Sequence, residues 1–184
     1  MGRPKKFSRE GVLEKALPVF WKHGFYGTSV QDLERATGVN KSGLYSEFRG
    51  KEDLFLESLR YYFETRGGWE IINAEPSGWH NIERFLRLSE AQANGQAGCF
   101  SVNSMREFSD LPAEVHDLAA SVRAQLKPMI VRNIEAEHPK MAADAIAELV
   151  MVFFSGICIE QNTASGRASV GEKISSFMTI ARSL

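Results

Sequence analysis

The feature that most constrains this chain is the run from Thr28 to Lys51, TSVQDLERATGVNKSGLYSEFRGK. Its spacing predicts two short helices around a tight glycine turn. Thr28 is expected to cap the first helix, with Gln31 three residues on completing a capping box. Val30, Leu33 and Ala36 fall on one face at helical spacing. Gly38 stands where a helix ends and the backbone must turn, which favours a positive φ. Asn40 can then cap a second helix running from Lys41 to about Phe48. Two helices joined in this way form a helix-turn-helix, whose second helix enters the major groove of DNA.

The flanking segments extend the pattern. Residues 8–24 predict a helix capped by Ser8, with an apolar stripe of Val12, Leu13, Ala16, Leu17 and Phe20. Pro18 removes one hydrogen bond from that helix, so a kink is expected there. Gly24 ends it. A further helix starts near Lys51, carries Leu54, Phe55, Ser58, Leu59 and Tyr62 on one side, and ends near Gly67-Gly68.

The residues from Phe7 to Phe55 resemble the DNA-binding domain of TetR-family transcriptional regulators. The resemblance rests on Ala16, Phe20, Gly24, Phe25, Thr28, Ser29, Leu33, Ala36, Gly38, Val39, Ser42, Leu44, Tyr45, Phe48, Lys51, Leu54 and Phe55 at one fixed spacing. It implies an all-α homodimer with two domains. Residues 1–50 would be a three-helix DNA-binding head, and residues 51–184 a helical effector-binding and dimerisation body. It also implies repression of transcription from a palindromic operator, relieved by a small-molecule effector. The sequence leaves open another class, a helical ligand-binding or interaction protein that does not engage DNA.

Charge agrees with a head that meets a polyanion. Residues 1–51 carry ten Lys and Arg against five Asp and Glu, a net +5, whereas residues 52–184 carry twelve against eighteen, a net −6. A basic end on an acidic body points to nucleic acid held at one end only. The basic arm at residues 1–7 fits the same role, with Arg3 able to enter a narrow minor groove.

The DNA-reading candidates follow from side-chain chemistry and from the resemblance. Lys41 and Ser42 can reach base edges or phosphates, and Gly43 allows close backbone approach. Ser46 lies on the same exposed side of the predicted helix. The Tyr45 hydroxyl and the Lys51 ammonium suit phosphates, as their family counterparts do. Thr28 and Ser29 stand at a helix start and can offer donors to another phosphate. Leu44 and Phe48 are expected inside. Where the family often has histidine, this chain has Glu47, whose carboxylate would point away from DNA, pair with Arg49, or accept from cytosine.

Beyond Trp69 helices are expected near 78–94, 98–110, 112–136, 139–164 and 168–183, with breaks at Glu75-Pro76, Asn94-Gly95, Leu111-Pro112, His138-Pro139 and Ser165-Gly166. Pro128 is expected to kink its helix. The stretch IAELVMVFFSGICI at 146–159 is apolar nearly all round and predicts burial on several sides. Phe100, Asn103, Arg106, Phe153 and Gln161 are the candidate effector contacts, although aromatic residues of this kind equally build a helical core.

Other classes find little support. No phosphate-cradling glycine loop, H-E-x-x-H or G-x-S-x-G is present, so an enzyme is not expected. The four histidines are isolated, and no metal or cofactor is expected. No apolar run reaches membrane-spanning length, and Cys99 and Cys158 fit a reduced, cytoplasmic compartment.

Overall fold

The computed structural model describes residues 7–66, 68–88, 90 and 95–184. Among these the chain forms ten α-helices and one 3-10 helix, with no strand. None of these helices is long and apolar enough to cross a membrane.

The helices fall into two compact units. The first holds residues up to 66 together with 103–118, and the second holds 68–102 and 119–184 within the described range. The expected head and body divide after residue 50, whereas the first compact unit runs on to residue 66. The helix that follows groups with the head, because Leu54, Phe55, Leu59 and Tyr62 bury their side chains in it.

In the first unit, α1 spans Arg9–His23, α2 Val30–Thr37, α3 Lys41–Glu47 and α4 Lys51–Arg66. Ser8 caps α1 by accepting from the Gly11 amide, and the helix runs unbroken through Pro18. Its buried stripe is Val12, Leu13, Ala16, Leu17 and Phe20, as the spacing predicted. Phe20 meets Phe55 edge-on with centroids 5.2 Å apart, and Phe25 meets Phe55 at 5.5 Å. Such aromatic edges contribute beyond their buried area.

Between α2 and α3, Gly38 adopts φ 72° and ψ 14°, left-handed backbone that favours glycine. Asn40 caps α3 by accepting from the Gly43 amide. The cap of α2 differs from expectation. Ser29, not Thr28, is the N-cap, and Asp32, not Gln31, closes the capping box. Thr28 is buried, and its hydroxyl donates to the Gly24 carbonyl at 2.6 Å. The inward face of α2 is Leu33 and Thr37, whereas Ala36 is exposed.

The second unit begins with the short α5, Trp69–Ile72, followed by α6, Trp79–Arg87. After α7, Phe100–Ser104, the 3-10 helix Met105–Asp110 belongs with the first unit. Then come α8, Ala113–Glu135, α9, Ala143–Glu160, and α10, Ala164–Ala181. Helix α6 ends at Arg87 rather than near 94, and residues 91–94 lie outside the described range. Helix α8 continues through Pro128. The break before the last helix sits at Gln161–Thr163, with Thr163 as N-cap, so Ser165 and Gly166 lie inside the first turn of α10.

The core of the second unit gathers Ile72, Trp79, Ile82, Phe85 and Leu86 with Ile130 and Ile134 of α8, Ile146 and Val150 of α9, and Ile174 and Met178 of α10. A buried asparagine ties its polar backbone down. Asn133 Nδ2 donates to the Ile72 and Met129 carbonyls, and Oδ1 accepts from the Gly78 amide and from Asn81. Using every group of a buried amide in this way removes the cost of desolvating it.

Helix α9 departs from the all-round burial expected of it. Ile146, Ala147, Val150, Met151, Ile157 and Cys158 are buried, but Leu149, Val152 and Ile159 are 49, 64 and 50% exposed.

Candidate nucleic-acid interface

The surface that matters is the outer side of α3. Its inner side is fixed first. Leu44 is wholly buried, and Phe48, the C-cap residue, nearly so. With those two inward, helical geometry turns Lys41, Ser42, Tyr45 and Ser46 to solvent, and all four are exposed. The Lys41 ammonium lies 5.7 Å from the centre of the Tyr45 ring, so a cation and a phenol share one ridge. The Lys41 backbone amide donates to the Glu34 carboxylate. That bond joins the start of α3 to α2 and leaves the side chain outward.

Other predicted site residues have different tasks. The Ser46 hydroxyl donates to the Gly43 carbonyl at 2.7 Å. Gly43 is half-buried, and a Cβ there would come within 2.7 Å of Val39 Cγ1 and 3.4 Å of the Phe7 ring. Its smallness therefore serves the inside of the head as well as its surface. The Ser29 hydroxyl donates to Asp32 and accepts from its amide as a cap. The Ser29 hydroxyl and backbone amide, both donating to it, and nearby Arg35 hold the Asp32 carboxyl below its ordinary pKa. Arg3 lies outside the described residues.

Lys51, expected to meet a phosphate, makes contacts within the head. Its ammonium donates to the Phe25 carbonyl at 2.9 Å and to the Thr28 carbonyl at 3.0 Å. It also sits 4.1 Å from the centre of the Phe25 ring. It ties the α1–α2 connection to the start of α4. Arg49, the partner expected for Glu47, binds Asp53 across one helical turn. The Glu47 carbonyl accepts from Arg9.

Arg9 and Glu107 have structural importance that the sequence did not reveal. Arg9 donates to the Glu47 carbonyl and the Glu57 carboxylate and lies 4.4 Å from the Phe48 ring centre. Glu107 accepts from the Phe25 and Tyr26 amides. Both act across 38 or more residues of chain, and no local pattern encodes such pairs.

The candidate effector contacts are scattered by role. Phe100 is fully buried at the start of α7, Asn103 is half-buried, and Arg106 is exposed. Phe153 is half-buried and stacks on Phe177 with ring centres 3.9 Å apart. Gln161 is buried; Oε1 accepts from the Gly98 amide, while Nε2 has no partner. Cys99 and Cys158 are both buried free thiols, and burial, with Cys99 nearby, pushes the Cys158 thiol far up. Held protonated in this way, the Cys158 thiol is a poor nucleophile.

The sequence profile described as "Bacterial regulatory proteins, tetR family" matches residues 12–58, the span of this helix set. The HTH-type transcriptional repressor ComR of Escherichia coli is 48% identical over 114 residues, covering 59% of this chain and 54% of ComR. The chain thus spans about half the length of that relative. A TetR-family regulator from Agrobacterium tumefaciens superposes with a TM-score of 0.82 at 16% identity, covering 93% of this chain and 95% of that one. The TetR-family regulator CifR, solved as a cysteine mutant complexed with 26-base-pair double-strand operator DNA, superposes with a TM-score of 0.70 at 20% identity over 98% of each chain. At these identities the solved structures bear on the fold alone. Residues 12–58 are thus similar to the tetR family of bacterial regulatory proteins, and the chain shares its fold with solved TetR-family regulators.

Proposed function

We propose that the protein is a transcriptional repressor that reads a palindromic operator as a homodimer and leaves it when a small-molecule effector occupies the body. The observation that carries this reading is the outer face of α3. It offers Lys41, Ser42 and Tyr45 outward while Leu44 and Phe48 anchor the helix from behind. Lys41 at the start of a recognition helix suits guanine O6 and N7, and Tyr45 suits a phosphate. CifR, bound to operator DNA, lends support by its fold.

Homodimerisation is supported by the bare apolar face of α9. Leu149, Val152 and Ile159 recur at helical spacing and stand exposed, and Ile180 of α10 is 61% exposed. A second copy of the same face would cover them. One recognition helix makes few base contacts, and two held about 34 Å apart meet successive major grooves. The effector would act by its difference in affinity between the DNA-matched and unmatched dimers.

The test is binding of the purified chain to the DNA flanking its own coding region, titrated with salt. Selective binding to a palindromic segment, weakening steeply as salt rises, is the expected result. Weak binding that is equal on all duplexes would favour the helical interaction protein instead.

A further inference from the structure

The connection from α1 to α2 is held from two sides by opposite charges. On one side the Lys51 ammonium takes the carbonyls of Phe25 and Thr28. On the other, Glu107 takes the amides of Phe25 and Tyr26, at 2.8 Å to Oε2 and 3.0 Å to Oε1. Two consecutive amides converging on one carboxylate form a small anion-binding nest. Hydrogen bonds to a charged acceptor are among the stronger ones.

The seat is cut to fit. Gly24 has φ 72°, and a Cβ there would lie 2.6 and 2.8 Å from the two Glu107 carboxylate oxygens. The chain opens this space with the smallest residue at the position where the carboxylate arrives. One residue beyond the clasped amides come buried Thr28 and then Ser29, the N-cap of α2. Helix α2 leads through Gly38 to α3. The clasp therefore sits at the root of the DNA-reading pair.

Glu107 reaches this place from far along the chain. It lies on the 3-10 helix Met105–Asp110, which continues directly from α7. The first residue of α7, Phe100, is fully buried and falls in the second unit. A short, continuously helical run thus leads from a buried residue of the second unit to the Glu107 carboxylate, which lies in the first.

We propose that Glu107 is a positioning residue: its clasp on Phe25 and Tyr26 couples the 100–110 segment to the set of the helix-turn-helix. This rests on the reading of the head as DNA-binding. When the segment holds its place, the loop is pinned on both sides and α2 and α3 keep the angle that meets the groove. When the segment shifts, the loop loses its carboxylate anchor, and the reading helix is held less firmly in its orientation. Because coupling between two places is reciprocal, DNA bound at the head must steady the 100–107 segment through the same bonds.

The experiment uses the full chain and the duplex it selects from its own flanking DNA, read by amide hydrogen exchange and by duplex affinity. In free protein, E107A speeds exchange at Phe25 and Tyr26 by about tenfold or more and leaves α9 unchanged. E107Q, which keeps the shape and one strong acceptor, gives a smaller effect at the same amides. E107A weakens binding to the selected duplex by about tenfold. Bound duplex slows exchange across 100–107 in the wild type and not in E107A. G24A weakens duplex binding, and by less when Glu107 is already alanine, because its Cβ then meets no carboxylate.

Unchanged exchange at Phe25 and Tyr26 in both Glu107 variants would overturn the clasp. Equal protection of 100–107 by duplex in wild type and E107A would overturn the coupling. A wild-type chain that selects no duplex would sink the regulatory reading instead, and the free-protein exchange would still decide the clasp.

Discussion

The guanidinium of Arg9 lies 4.4 Å from the centre of the Phe48 ring while one of its nitrogens donates to the carbonyl of Glu47. A second nitrogen bonds the Glu57 carboxylate at 2.8 Å. One side chain at the start of α1 thereby holds the end of the recognition helix to α4. Phe48 is the C-cap, so the helix ends on a residue pinned by stacking as well as by burial. Arg9→Ala is expected to lower stability by about 1–2 kcal/mol in chemical denaturation. It should weaken binding to all duplexes alike. Arg9→Lys should recover little of either, since an ammonium lacks the planar fork. Full recovery by lysine would show that charge alone matters there.

Lys51 and Lys41 should behave as opposites. Lys51 spends its ammonium on two carbonyls and a ring within the head. Lys51→Met should therefore cost about 1–3 kcal/mol of stability and leave the salt slope of DNA binding nearly unchanged. A fall of about one unit in that slope, with stability intact, would return Lys51 to the phosphate role.

Lys41→Ala should leave stability nearly unchanged and alter which duplexes are preferred, because the side chain is exposed at the start of α3. Tyr45→Phe should weaken all sequences by a similar factor. Competition binding against duplexes with single base changes separates the two. An identical preference profile in both variants would remove the division of roles.

The cap of α2 predicts a pH effect whose sign follows from Asp32. Its carboxyl titrates below its ordinary pKa, first because Ser29 donates to it and then because Arg35 is near. A depressed folded-state pKa stabilises the fold above the ordinary Asp value of about 3.9. That contribution is lost as pH falls through the folded pKa. Asp32→Asn should flatten this part of the acid limb in denaturation measured over a pH series. Ser29→Ala should cost about 1 kcal/mol at neutral pH.

The exposed face of α9 predicts the consequence of a charge. Val152 is 64% exposed, between Leu149 and Ile159 on the same side. Val152→Glu should leave the monomer folded and shift sedimentation toward monomer, lowering operator affinity with it. A dimer that persists through this change would place the interface elsewhere.

Local chemistry made the head legible before any coordinates. Ser8, Asn40 and Gly38 act within four residues of themselves, through caps and a left-handed turn that short-range sterics impose. The stripes of α1 and α4 follow helical period because each has one side to bury. Where two neighbours could do the same local task, sequence did not choose correctly. Thr28 and Ser29 are both competent caps, and Gln31 and Asp32 both competent partners. The choice fell to Ser29 and Asp32 because Thr28 is drawn inward to the Gly24 carbonyl.

What the sequence determined by itself is the kind of head this chain builds: its helices, its turn, and an outward row of Lys41, Ser42 and Tyr45 behind which Leu44 and Phe48 must hide. What only the tertiary structure decided is which charges face inward. Lys51 and Arg9 read as basic surface along the chain, yet each finds at least one backbone carbonyl and an aromatic ring. Glu107 reads as one acid among many, yet meets two amides more than 80 residues away. The exposed face of α9 likewise emerges only when the other sides of that helix are covered. The physical reason is range. Helix caps and periodicity act over a turn or two of backbone, whereas these contacts depend on how separate helices come together.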